Sequence, residues 1–191
     1  MKQSLGAHPL IMPTPVWAIG TYDAEGKPNV MTAAWGGICC SKPFCVGVAL
    51  RAATYSHGNI MARKAFTISV PSAAQVDQAD YFGVVSGREA DKFKVAGLTP
   101  VRSELVDAPY VGEFPMVAEC KVIQVSELGL HTHFIAEVLD VKVDSSAMGE
   151  KHADMSKVSP ILFSPGDRNY YGLGEVVGHG FSSGGVLAKQ D

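Results

Sequence analysis

"MVAECKVIQVSELGLHTHFIAEVLDVKV", residues 116–143, decides the architecture. It holds two runs rich in β-branched residues, 116–128 and 131–143, separated only by Gly129 and Leu130. β-Branched side chains are stiff at χ1 and suit a pleated strand. A connection of two residues turns the chain straight back on itself, so a long antiparallel hairpin is expected.

Working outward, the flanking sequence repeats this character. "TPVWAIGTY" (14–22) and "VMTAAW" (30–35) enclose "DAEGKPN" (23–29), whose Asp, Gly, Pro and Asn are turn formers, so residues 14–35 read as a second hairpin. "SKPF" (41–44) breaks the chain before the strand "CVGVALR" (45–51). "ATYSHGNIMARKA" (53–65) reads as a helix with Thr54 or Ser56 as N-cap and Arg63 and Lys64 at its basic end. "FTISV" (66–70) reads as a strand and "SAAQVDQADYFGVV" (72–85) as a helix capped by Ser72. "SGREADKFKVAG" (86–97) reads as a loop and a short helix stopped by Gly97. The whole pattern predicts a mainly β chain, an antiparallel barrel with short peripheral helices, and one domain over residues 1–191.

The bulk numbers bound the function. The 191 residues are 47% hydrophobic and 18% charged, enough apolar content for a sizeable core. Net charge is −3 with no basic run longer than a pair, so a nucleic-acid surface is not expected. No apolar run approaches the roughly 18 residues needed to span a bilayer, and "MKQSLGAHPLIMPTP" does not read as a signal peptide. A cytoplasmic protein without a membrane partner is expected. The four cysteines do not form a disulfide framework. Cys39 and Cys40 are neighbours, so on a strand they face opposite ways and would not chelate one ion. Cys39, Cys40 and Cys45 read as small packing residues, with a redox role for Cys39 or Cys40 left open.

Three segments carry candidate chemistry. In "HTHFIAE", His131, His133 and Glu137 share one strand face. Cupin-like metal barrels use such a set, but Val125 stands where they place a Gly, and a polar face touching a ligand is the competing reading. In "LRAATYSHGNI" (50–60), Arg51 ends a strand and Thr54, Tyr55 and Ser56 stand at a helix start. Unpaired N–H groups there attract anions, so a phosphate seat competes with ordinary capping. Lys92 is not distinguishable locally from a solvated helical lysine. No P-loop, Gly-x-Gly-x-x-Gly or Gly-x-Ser-x-Gly motif occurs.

Taken in order, "PTPVWAIGTYDAEGKPNVMTAAWGG", "KPFCVGVALRAATYSHGNI", "AFTISVP", "SGREADKF" and "YYGLGE" resemble the flavin-reductase-like FMN-binding split-barrel family, closest to its flavoredoxin branch. The resemblance spans about residues 10 to 178. It implies a six-stranded antiparallel split barrel, a homodimer, and non-covalent FMN near the subunit interface. It implies that Thr32, Ala33, Ala34 and Trp35 lie along the isoalloxazine ring and that Arg51, Thr54, Tyr55 and Ser56 hold the phosphate. Lys92 would reach the flavin, His131 would approach the ring, and Phe163 would pack near it. No catalytic residue and no metal ligand is implied. The implied function is electron transfer between redox partners, with reduction of sulfur compounds. An NAD(P)H-dependent flavin oxidoreductase is the alternative. A cupin-like metal enzyme using His131, His133 and Glu137, or a non-catalytic flavin-storage protein, lies further off.

Overall fold

Asp23 turns the first hairpin: its Oδ1 accepts from the N–H groups of Glu25 (3.0 Å) and Lys27 (2.8 Å), and Gly26 takes a positive φ of 80°. The structure is a computed structural model and describes residues 1–187. After the short β1 (Thr14–Pro15), this turn joins β2 (Trp17–Tyr22) to β3 (Pro28–Ala33). β4 (Gly36–Ser41) and β5 (Phe44–Arg51) form the next hairpin, followed by α1 (Tyr55–Arg63) and β6 (Ala65–Val70). A 3-10 turn at Ala73–Gln75 with a Ser72/Gln75 capping box leads into α2 (Val76–Val84), and Asp91 caps α3 (Lys92–Ala96). A small ribbon of β7 (Pro100–Arg102) and β8 (Pro109–Val111) precedes the long hairpin. Its strands β9 (Met116–Leu128) and β10 (His131–Val143) have the bounds read from the sequence, with Gly129 at φ 57° in the turn. The short α4 (Met155–Val158), β11 (Leu162–Ser164) and β12 (Asn169–Tyr171) follow.

The main sheet is antiparallel in the order β3-β2-β6-β9-β10-β5-β4. It therefore has seven strands where six were expected, and its edge strands β3 and β4 share no hydrogen-bonded ladder, so the barrel is not closed. The extra strand is β4, whose sequence GGICCS lacks the β-branched run that marks a strand. It is held from outside. Ala49 N–H donates to the Trp35 carbonyl (2.8 Å), which draws the chain onto β5 rather than back onto β3. As an edge strand, β4 leaves Cys39 and Cys40 exposed, against the expectation that they pack inside; Cys45 and Cys120 are buried.

The sheet curls around one core. Ile19, Val48, Phe66, Ile68 and Phe134 meet there, and Ile60 of α1 joins them. A second cluster of Phe82, Phe93 and Phe114 with Val30 packs α2 and α3 against β2 and β3. Each such buried aromatic contributes on the order of 2–3 kcal/mol, which is what fixes these two short helices over β3. No helix among the described residues is long and apolar enough to cross a membrane.

Candidate functional site

The helix start read as a candidate anion seat is built from β5 and α1. Thr54 has extended N-cap geometry (φ −74°, ψ 146°), yet its hydroxyl donates to the Arg51 carbonyl (2.9 Å) and caps no N–H of α1. The first turn of α1 also carries no acidic residue. Its leading N–H groups are thus left without a side-chain cap, at the positive end of the helix dipole.

The neighbouring side chains hold this turn in place. The Tyr55 hydroxyl donates to Asp23 Oδ2 (2.9 Å). Burial pushes the Asp23 carboxyl up, but hydrogen bonds from Lys27 N–H, the Tyr55 hydroxyl and Glu25 N–H outweigh it and leave it below the usual range. Burial and that same bond raise the Tyr55 phenol. Ser56 is buried, and its hydroxyl accepts from Asn29 Nδ2 (2.9 Å) on β3. Tyr55 and Ser56 are therefore fixed to the first hairpin, and Thr54 to the end of β5.

Facing this turn, the end of α2, the loop 85–91 and the start of α3 complete a cavity of about 200 Å³. Gly87 allows the close approach: a Cβ there would lie 2.0 Å from Asn29 Oδ1 and 2.8 Å from Tyr55 Cδ1. Arg88 lays its guanidinium 5.0 Å from the centroid of the Tyr55 ring and donates to the Ala53 carbonyl (3.2 Å). Lys92 is 4% exposed and its Nζ donates to the Phe82 carbonyl (2.8 Å). Burial lowers its pKa to about 8, and no carboxylate pairs with it among the described residues. The lining contains Arg88 and Lys92 and no Asp or Glu. Two cations, uncapped helix N–H groups and no acid suit a phosphate monoester.

Of the residues singled out in the sequence, Thr54, Tyr55, Ser56 and Lys92 meet at this cavity. Thr32 and Ala33 lie on β3 beside it, but the Thr32 hydroxyl donates to the Ala79 carbonyl and Ala33 sits in the core. Ala34 and Trp35 line a separate depression of about 250 Å³ with Ile11 and Pro165. Arg51 is exposed at the end of β5, directly opposite His131 on β10, and neither lines the cavity. Phe163 packs at a tilt against Tyr170 (5.5 Å between centroids) in a satellite cluster with Val16 and Ile161. Residues not singled out also contribute: Asn29, Met31, Gly87 and Arg88. The last two stand in "SGREADKF", but nothing local shows that the loop folds back onto Tyr55.

His131, His133 and Glu137 do share a face of β10. Glu137 lies four residues beyond His133, about 13 Å along an extended strand, too far to bind the same ion. Among the described residues no three His, Cys, Asp or Glu side chains converge as metal ligands.

Comparison with known proteins follows the same lines. A family model described as "Flavin reductase like domain" matches residues 10–172. The flavoredoxin of Desulfovibrio vulgaris (Miyazaki F) is 53% identical with a TM-score of 0.92, covering 96% of this chain and 100% of that one. The flavoredoxin from Methanosarcina acetivorans is 26% identical at the same TM-score, covering 98% and 99%. An uncharacterized protein of Archaeoglobus fulgidus is 35% identical over 115 residues, which are 60% of this chain and 65% of that protein, so the matched part spans just under two thirds of this curated relative.

Proposed function

The chain belongs to the flavin reductase like family, and from that premise we propose that it is an FMN-binding flavoprotein of the flavoredoxin type that carries electrons between redox partners. The observation that carries the reading is the uncapped N-terminus of α1 opening on a cavity with two cations and no acid. The flavoredoxin at 53% identity supports the cofactor and the carrier role.

The chain's residues then have distinct tasks. The first N–H groups of α1 receive the FMN phosphate and Arg88 neutralises it, while Thr54 holds the turn through its bond to the Arg51 carbonyl. Tyr55 keeps Arg88 over the seat, and Asp23 keeps Tyr55 in place. Lys92 holds a positive charge in a dry wall, which favours a negative charge developing nearby. Ala34 and Trp35 continue the chain from β3, which lines the cavity with Asn29 and Met31, and are the residues proposed to flank the ring. Bound there, FMN supplies the one- and two-electron redox chemistry that the side chains lack. A homodimer and sulfur compounds as final acceptors, both taken from the family likeness, and the cytoplasmic setting expected from the sequence complete the proposal.

The family's description also favours a direct NAD(P)H:flavin oxidoreductase as the second reading. Anaerobic stopped-flow mixing of the FMN-loaded protein with NADH and with NADPH separates the two. The carrier reading expects bleaching too slow to support turnover with either nucleotide. Rapid bleaching would overturn it in favour of the oxidoreductase.

A further inference from the structure

β4 and β5 place two cysteines directly across from one another. In the antiparallel register Cys40 pairs with Cys45, one step from the Ser41–Phe44 pair that closes the hairpin. Directly opposed residues share a face of the sheet, and their Cα atoms stand about 4.5–5.5 Å apart. A disulfide needs about 4.4–6.8 Å, so the ladder alone satisfies its reach. A register shift between Ile38 and Cys40 leaves Cys39 out of the ladder, so it has no cross-strand cysteine.

The two thiols differ in access. Cys40 is exposed on the edge strand, while Cys45 is buried one strand further in. On its other side Cys45 is opposed by Glu137 of β10. Burial, helped by the Cys40 and Cys39 sulfurs and the Glu137 carboxylate, raises the Cys45 thiol. Cys45 is therefore the poorer first nucleophile, and Cys40 is the sulfur that an external reagent meets.

We propose that Cys40 and Cys45 are a reversible dithiol site that undergoes exchange with low-molecular-weight disulfides, Cys40 reacting first and Cys45 resolving. The Cys40 thiolate attacks one sulfur of the reagent; the reagent's S–S bond breaks, a mixed disulfide forms on Cys40, and one thiolate leaves and takes a proton. The Cys45 thiolate then attacks Cys40 Sγ and expels the second thiol. Two protein thiols are oxidised, one external disulfide is reduced, and two small thiols are released. The product is a bridge across the β4–β5 hairpin, enclosing residues 41–44. The inference uses neither the cavity nor a flavin, so it stands apart from the proposed function.

The test treats the full chain, freshly reduced and freed of reductant, with oxidised glutathione as the probe. Free thiols are then blocked, the chain is cut with chymotrypsin, and the peptides are weighed. Cleavage after Phe44 separates the two cysteines, which trypsin does poorly because Pro43 follows Lys42. The expected result is a peptide carrying Cys40 joined to one beginning at Cys45, with loss of two hydrogens and two glutathione thiols released per chain. Cys39→Ser should form the same bridge, and Cys45→Ser should retain glutathione on Cys40. A lasting adduct on the wild-type chain with Cys45 still free, or a Cys39–Cys40 bridge, would overturn the proposal. So would loss of the bridge in Cys39→Ser.

Discussion

Lys92 sits in an environment that its local sequence does not suggest. It sits within a short helix of otherwise ordinary composition, yet it is buried with only the Phe82 carbonyl as acceptor. Its folded pKa is about 8 against an ordinary 10.5. Between those values the unfolded chain binds more protons than the folded one, so this residue makes stability rise with pH from about 8 to 10.5. The denaturation midpoint of the apo protein minus that of Lys92→Met is expected to climb over that window; a flat difference would refute the burial cost. Arg88 carries the second residue-scale expectation. Arg88→Ala should weaken FMN roughly tenfold to a hundredfold, the worth of a charged hydrogen bond of about 1.5–3 kcal/mol, and leave riboflavin nearly unchanged. Arg51→Ala should do less, because Arg51 lies outside the cavity; a larger loss on Arg51→Ala would return the phosphate to the end of β5. The sequence made Thr54, Tyr55 and Ser56 legible because helix starts have recognisable residues. It hid Arg88, because a loop arginine reaches its partners only through the fold.

At the scale of elements, the long hairpin and the β2–β3 hairpin were legible because turn residues and β-branched runs mark them locally. β4 was not, because its pairing comes from β5 and the edge position tolerates Gly and Cys. One half-buried ion pair fastens two elements that local patterns do not connect. Glu119 on β9 is fully buried, paired with Lys142 of β10 and bonded by the Ser103 hydroxyl and Glu104 N–H of the β7–β8 connection. Burial pushes the Glu119 carboxyl up, but the bonds from Lys142 and Ser103 outweigh it and lower its pKa. Its contribution is therefore present above the ordinary carboxyl pKa and lost as pH falls through the lowered one. Glu119→Ala should cost about 1–3 kcal/mol near neutral pH, read from the urea midpoint, with the gap to wild type narrowing in acid. Gly20→Ala is expected to destabilise by a similar amount, because a Cβ there would lie 1.9 Å from the Pro109 carbonyl oxygen of β8.

At the scale of the molecule, the sheet is an open frame whose α1, α2 and α3 attachments make one cationic cavity. Fold class was legible from periodicity, and the family from an ordered set of short fragments. The strand count and the make-up of the site were not, since both depend on which edge pairs and which loop folds back. The function proposed for the chain rests on this cavity seating the phosphate of FMN. The most direct test is equilibrium titration of the apo protein with FMN and with riboflavin, followed by flavin fluorescence. FMN is expected to bind at least tenfold tighter than riboflavin, with the difference largely lost in Arg88→Ala; equal affinities for the two, or no binding of FMN at all, would contradict the claim.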